Sequence, residues 1–268
     1  MQASVQPKEM SLFNDWCKID QDEEEQKRLW RLTEKNGGRE TVRAKLREAV
    51  RLHYDSFDRI ADDAESLGYK FASAILRERL PRTARARSGE MGEIIASELV
   101  EEKLGFRVPV RRLRYKDGRE MALRGDDFIG VVYAKSQGGL RLLKGESKSR
   151  AVLAKTAITE ARAVLDRDHG RCTAISLLFV ADRLLDRTGA DRELGRAIRA
   201  EVGTKSLRPH RIDHLLFTLS GNAPRASLKA NLDACDKRRG QTVINMRIDD
   251  HQDFIAEIYN EAGNVGDD

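Results

Sequence analysis

Apolar positions recur at helical spacing through much of this chain. Val42, Leu46, Val50 and Tyr54 stand at i, i+4, i+8 and i+12 and predict an amphipathic helix over 42–60. Phe71, Ile75 and Leu80 extend the pattern through 67–80. Gln21 to Leu32 is acidic, then basic, with Leu29, Trp30 and Leu32 as a small apolar face, and is also read as helical. The stretch 1–87 is therefore expected to be a helical N-terminal region. Met91, Ile95 and Leu99 predict a helix over 90–104 that Gly105 stops. Arg107 to Tyr115 alternates Val108, Val110 and, after a slip, Leu113, the mark of a strand. Leu123–Ala134 and Leu140–Lys148 read as two further strands, joined by a hairpin loop at Ser136-Gln137-Gly138-Gly139. A helix over 151–166 and a short buried strand over 173–180 complete an α-β-β-β-α-β order. Beyond it a helix (192–202), two strands (212–219 and 242–248) and a closing helix (252–262) are expected. The fold class is α/β, with 88–268 as a second domain made of that core and a mixed C-terminal extension.

Composition narrows the function. The chain has 268 residues, with 49 Lys and Arg against 44 Asp and Glu, so a net charge of +5 permits a polyanionic partner without demanding one. No apolar run reaches membrane-spanning length. Met1 to Asp20 holds no apolar leader segment, and a soluble cytoplasmic protein is expected. Cys17, Cys172 and Cys235 are scattered and odd in number, which argues against a disulfide framework or a zinc ribbon. The Gly-x-x-x-x-Gly-Lys-Ser/Thr loop is absent, so no nucleotide cofactor is expected by that route. The five histidines show no metalloprotease spacing.

One group of residues can carry chemistry. Phosphodiester hydrolysis without histidine clusters needs a hard divalent cation on oxygen ligands, and Mg²⁺ favours carboxylates, carbonyls and water. Arg124-Gly125-Asp126-Asp127-Phe128 puts acids at the start of one strand, and Gly145-Glu146-Ser147-Lys148 ends its partner. Strand alternation places Glu146 and Lys148 on one face and Ser147 on the other. Asp127 then meets Glu146 across an antiparallel ladder. On the helix before them, Glu93 shares a face with Ala96, Val100 and Leu104 and leans inward, whereas Glu90 shares a face with Ser97 and Glu101 and leans toward solvent. Glu-x-Lys alone is uninformative, since it recurs at 25–27 and 101–103. Its setting distinguishes the copy at 146–148 from a plain set of surface ion pairs.

This arrangement resembles the PD-(D/E)xK nuclease superfamily. Arg87-Ser88-Gly89-Glu90-Met91-Gly92-Glu93, the Gly-x-Asp strand start and Lys144-Gly145-Glu146-Ser147-Lys148 are closer still to the HamA family, the nuclease subunits of Hachiman antiphage defence, and to AbpA-like relatives. The resemblance covers residues 87–181. It implies a DNA nuclease with catalytic Glu93, Asp127, Glu146 and Lys148. Asp127, Glu146 and Glu93 would hold Mg²⁺, for which Mn²⁺ substitutes. It also implies a HamB-like helicase partner. The superfamily's Pro-Asp is missing, because Asp126 precedes Asp127, and the choice between these two acids stays open. Arg87, Arg111, Arg112 and Arg114 are candidate DNA contacts. The alternative is a catalytically inactive nucleic-acid-binding or adaptor subunit on the same fold.

Overall fold

The computed structural model describes residues 11–134 and 139–266, so most of the expected loop at 136–139 lies outside the described residues. A short helix α1 (Leu12–Trp16) leads into the hairpin β1 (Cys17–Glu24) and β2 (Lys27–Glu34). Helices α2 (Gly38–Tyr54), α3 (Phe57–Leu67), α4 (Tyr69–Arg79) and α5 (Ala84–Lys103) follow. Then come β3 (Phe128–Ala134), β4 (Gly139–Arg150), α6 (Lys155–Asp166), α7 (Ala174–Leu185), α8 (Gly189–Thr204), β5 (Ile212–Ser220), α9 (Arg225–Asp233), β6 (Gln241–Arg247) and α10 (His251–Ala262).

The strands form one six-stranded mixed sheet in the order β1-β2-β6-β5-β4-β3. The central strands β2, β6, β5 and β4 are parallel, and an antiparallel partner closes each edge. Helices cover both faces, as a parallel centre requires. On one face α2, α5 and α10 pack over Leu215, Phe217, Leu219, Ile244 and Met246. On the other, α6 and α9 cover Leu216 and Val243, while α7 and α8 cover Ile129, Val131 and Leu142. Val42, Leu46, Val50 and Tyr54 are all buried against the first layer, as their spacing predicts.

Three expected elements are corrected. Gln21–Leu32 is not helical but belongs to the β1–β2 hairpin, in which Glu24 pairs with Lys27 and Asp20 with Arg31. The acidic run lies along the exposed edge strand, where charge blocks pairing with another chain. The sheet thus draws strands from both sides of residue 87. Arg107–Tyr115 is not a strand. Only Arg107 bridges to Val131, Pro109 cannot donate a ladder bond, and Arg112–Tyr115 is a 3₁₀ turn. Thr173–Val180 is helical, the start of α7. Leu177, Val180, Ala181 and Leu184 are buried at i, i+3, i+4 and i+7, so the apolar face continues past the expected strand at 173–180. Over 89–181 the described order is therefore helix, two strands and two helices.

The start of α7 is tightly held. The Thr173 hydroxyl accepts the Ser176 backbone N–H at 3.3 Å, and the buried Asp126 carboxylate accepts the Thr173 N–H at 2.8 Å and hydroxyl at 3.0 Å. Thr173→Ala removes the cap and one carboxylate bond. It should destabilise the protein by about 1–3 kcal/mol, read as a lower urea midpoint with an unchanged m-value.

Candidate active site

Three local features bring the expected residues together. Gly125 adopts φ +100°, a conformation that favours glycine, and turns the chain so that Asp126 and Asp127 point different ways. Asp126 is buried against Thr173, with Lys144 Nζ at 3.7 Å. Asp127 accepts the backbone N–H of Ser147 at 2.7 Å. The β3–β4 register pairs Phe128 with Gly145, which continues to Asp127 opposite Glu146. The third feature is Gly92, which lets α5 lie against β4. A Cβ there would come within 2.5 Å of Ser147 Oγ, so any larger residue would push the helix away.

On β4, Glu146 and Lys148 share a face and are ion-paired at 2.5 Å, while Ser147 points toward α5. The Glu146 side chain is 4% exposed and that of Lys148 is 23% exposed, so solvent reaches the group at Lys148. Glu93 is half-buried on α5. Burial, then the charge of Asp127, pushes the Glu93 carboxyl well above its ordinary range, and the Arg112 guanidinium works against the shift. Burial likewise raises Asp127, partly offset by the Ser147 N–H, Lys148 and Arg112. Glu146 is pushed up to about 7 by burial and by Asp127, against the pull of Lys148. Glu93, Asp127 and Glu146 thus lie within one electrostatic neighbourhood, with Lys148 ion-paired to Glu146 and acting on Asp127.

Among the described residues no three His, Cys, Asp or Glu side chains form a ready-made metal cage. The donor set still suits Mg²⁺, which keeps several waters and uses one or two carboxylates rather than an all-protein cage. The oxygens are hard and crowded, and Arg112 and Lys148 are the cations that act most on Glu93, Asp127 and Glu146 among the described residues.

The HamA family model matches residues 10–262. The chain belongs to the HamA family. It is 29% identical over 182 residues to a Hachiman protein HamA of Bacillus cereus, a match covering 68% of this chain. The chain spans 63% of the length of that curated relative. No helix among the described residues is long and apolar enough to cross a membrane.

In this HamA-family chain the four arginines expected at DNA are engaged within the protein. Arg87 donates to the Pro81 carbonyl and to Asn260 and stacks over Tyr259. Arg111 pairs with Glu98 and Glu101, and Arg114 donates to the Leu52 carbonyl. Arg112 is buried, donates to the Arg124 carbonyl, and lies in the field of Glu93, Asp127 and Asp126. Its part as counter-charge to the acids escaped sequence reasoning, because the 3₁₀ turn that carries it had been read as a strand. Glu90 also needs correction: it is buried, not solvent-facing, and takes the Tyr54 hydroxyl and Lys116 as partners. Helix α5 is covered by β4 and by α2 and α10, so it has no single polar face. The paired acids differ in position: Asp126 holds the start of α7, and Asp127 bonds the Ser147 N–H and raises Glu93 and Glu146.

A carboxyl whose pKa is raised on folding costs stability once the pH exceeds its unfolded value. For Glu146 the cost grows from about pH 4.5 to about 7 and is constant above. Glu146→Gln should therefore raise the stability of metal-free protein at pH 8 by roughly 2–3 kcal/mol. The gain should vanish near pH 4.5, as measured by urea unfolding in EDTA at both pH values.

Proposed function

We propose that this chain is a metal-dependent deoxyribonuclease of the PD-(D/E)xK type and the effector subunit of a nuclease–helicase pair in antiphage defence. Membership of the HamA family supports the defence role. The observation that carries the nuclease reading is the convergence of three carboxylates and one lysine toward the end of β4. In this reading α5, the Arg107 bridge, β3, β4, α6 and β5 supply the helix–strands–helix–strand core.

Asp127 and Glu146 would hold Mg²⁺, with the Ser147 carbonyl as a further oxygen donor and Glu93 as a nearby carboxylate for its water or for a second ion. When bound, the metal supplies Lewis-acid charge and a water of lowered pKa. Lys148, the most accessible member of the group, orients the attacking water and neutralises charge developing on the phosphate. Arg112 keeps the crowded acids from expelling one another while the site is empty of substrate. DNA phosphates approach past the exposed Arg85 and Arg124, which precede Glu93 and Asp127 in the chain.

A nuclease that reads little sequence endangers its own chromosome, and a HamB-like helicase partner provides restraint. The exposed Phe57, Leu67, Tyr69 and Phe71 of the α3–α4 hairpin form the kind of apolar patch such a partner would cover.

Purified protein, alone and with a HamB-like helicase, should nick plasmid DNA in Mg²⁺ or Mn²⁺. Asp127→Asn and Lys148→Ala should each lower the rate about 100-fold or more, with circular dichroism unchanged. Mg²⁺ should also raise the melting temperature of the parent protein but not of Glu146→Gln. Equal nicking by parent and variants would refute the assignment. DNA retention by the parent without cleavage would put the adaptor reading in its place.

A further inference from the structure

A second cavity, of about 810 Å³, opens between α6, α9 and the N-terminal ends of β5 and β6. None of Glu93, Asp127, Glu146 or Lys148 lines it. Two guanidiniums do, those of Arg162 and Arg239, which are only 9% and 3% exposed.

Both are bonded to neutral acceptors. Arg162 donates to the Asn231 side chain at 3.1 Å and to the Gln241 side chain at 2.9 Å. Arg239 donates to the Gly170 carbonyl at 2.6 Å and the His169 carbonyl at 3.0 Å. Among the described residues neither has a carboxylate within ion-pair reach. Arg162 Nη2 and Arg239 Nε have no hydrogen-bond partner there at all. Other buried cations of the chain do face acids: Lys116 pairs with Glu90, and Lys144 has Asp126 at 3.7 Å. Burying a guanidinium costs several kcal/mol unless an anion compensates it. Burial is the main reason that the Arg239 pKa is lowered.

The remaining walls bear on the ligand's size and charge. Lys155 and Arg238 add positive charge at the exposed rim. The cavity's carboxylates are Asp166 and Asp236, and Asp236 is already paired with Arg238 at 3.0 Å. Ile158 and Ala230 offer apolar surface beside the cationic floor. His214 Nε2 lies 2.8 Å from the Gly170 carbonyl and donates to it, which leaves Nδ1 as an acceptor. Four cations (Lys155, Arg162, Arg238 and Arg239) against two carboxylates leave the lining with two surplus positive charges, more than one carboxylate ligand offsets and close to the charge of a phosphate monoester. The volume falls within the range of small-ligand sites.

We propose that this cavity binds a small phosphate ester of mononucleotide size, with its phosphate held between Arg162 and Arg239. The reading is independent of the nuclease assignment, since the two sites share no residue.

Titration calorimetry and thermal melts of the full chain with AMP, adenosine and inorganic phosphate test it. AMP should bind and raise the melting temperature, and adenosine should do neither. Arg162→Gln should weaken AMP binding at least tenfold. Ala230→Phe, a cavity-filling change at an exposed α9 position, should abolish binding with the fold intact, and it decides the matter if Arg162→Gln fails to fold. Millimolar AMP without heat or melting shift would overturn the proposal, as would unchanged AMP affinity in Ala230→Phe. Inorganic phosphate binding as tightly as AMP would overturn the nucleotide-sized assignment.

Discussion

Like charges crowded into a buried volume constrain this molecule more than any other interaction. Burial raises the proton affinity of Glu93, Asp127 and Glu146, the charge of Asp127 adds to it at Glu93 and Glu146, and Arg112, Lys148 and the Ser147 N–H work against it. Such a group persists only if its scaffold over-determines it. Asp127 is held by the Ser147 N–H. Glu146 is held by the pairing of β4 with β5, opposite Leu216, one residue past the end of the β3 ladder. Glu93 is carried by a helix that Gly92 allows to touch that strand. The large apolar cluster formed by α2, α5, α10 and the sheet supplies the stability that the acids spend.

The sheet explains why polar chemistry collects where it does. Four parallel strands with a hairpin strand at each edge leave two faces to be covered. One face is closed by closely packed helices and carries the main core. On the other face two helical groups, α6 with α9 and α7 with α8, cover separate apolar clusters. Lys144, Glu146 and Lys148 emerge from β4 on that second face, and His214 lies beside Lys144 on β5. The buried Lys144 amine reaches the Arg167 carbonyl and stands 3.7 Å from Asp126, tying strand, α6 terminus and α7 anchor together. Asp126 and Asp127 are adjacent in the chain yet serve different ends, one mechanical and one electrostatic.

Where sequence reading succeeded, local periodicity coincided with burial. Val42 to Tyr54 and Met91 to Leu99 bury the residues their spacing selects. Glu146 and Lys148 share a face because strand geometry leaves no alternative. Where it failed, a neighbour distant in sequence decided. Gln21–Leu32 carries enough charge for a helix surface, but Leu29, Trp30 and Leu32 are buried because β6, more than 200 residues later, pairs with that segment. The apolar run at 174–180 suits either a buried strand or a helix, and the continuation to Leu184 with the Thr173 cap decided for the helix. Glu90 turned inward because α5 is packed on several sides, which a single-face analysis cannot register.

Taken alone, the primary chain determined the helices with strong apolar periodicity and the antiparallel pair that carries the acids. These follow from spacing and alternation, which act over a few residues. Only the tertiary structure decided that residues 17–34 extend the sheet, that Arg112 serves as a buried counter-charge, and that Asp126 anchors a helix while Asp127 faces Glu146. It alone revealed two buried guanidiniums, each with an unbonded N–H, lining a second cavity. Each of these depends on the desolvation and charge of groups far apart in the chain, and such quantities exist only once the chain has folded.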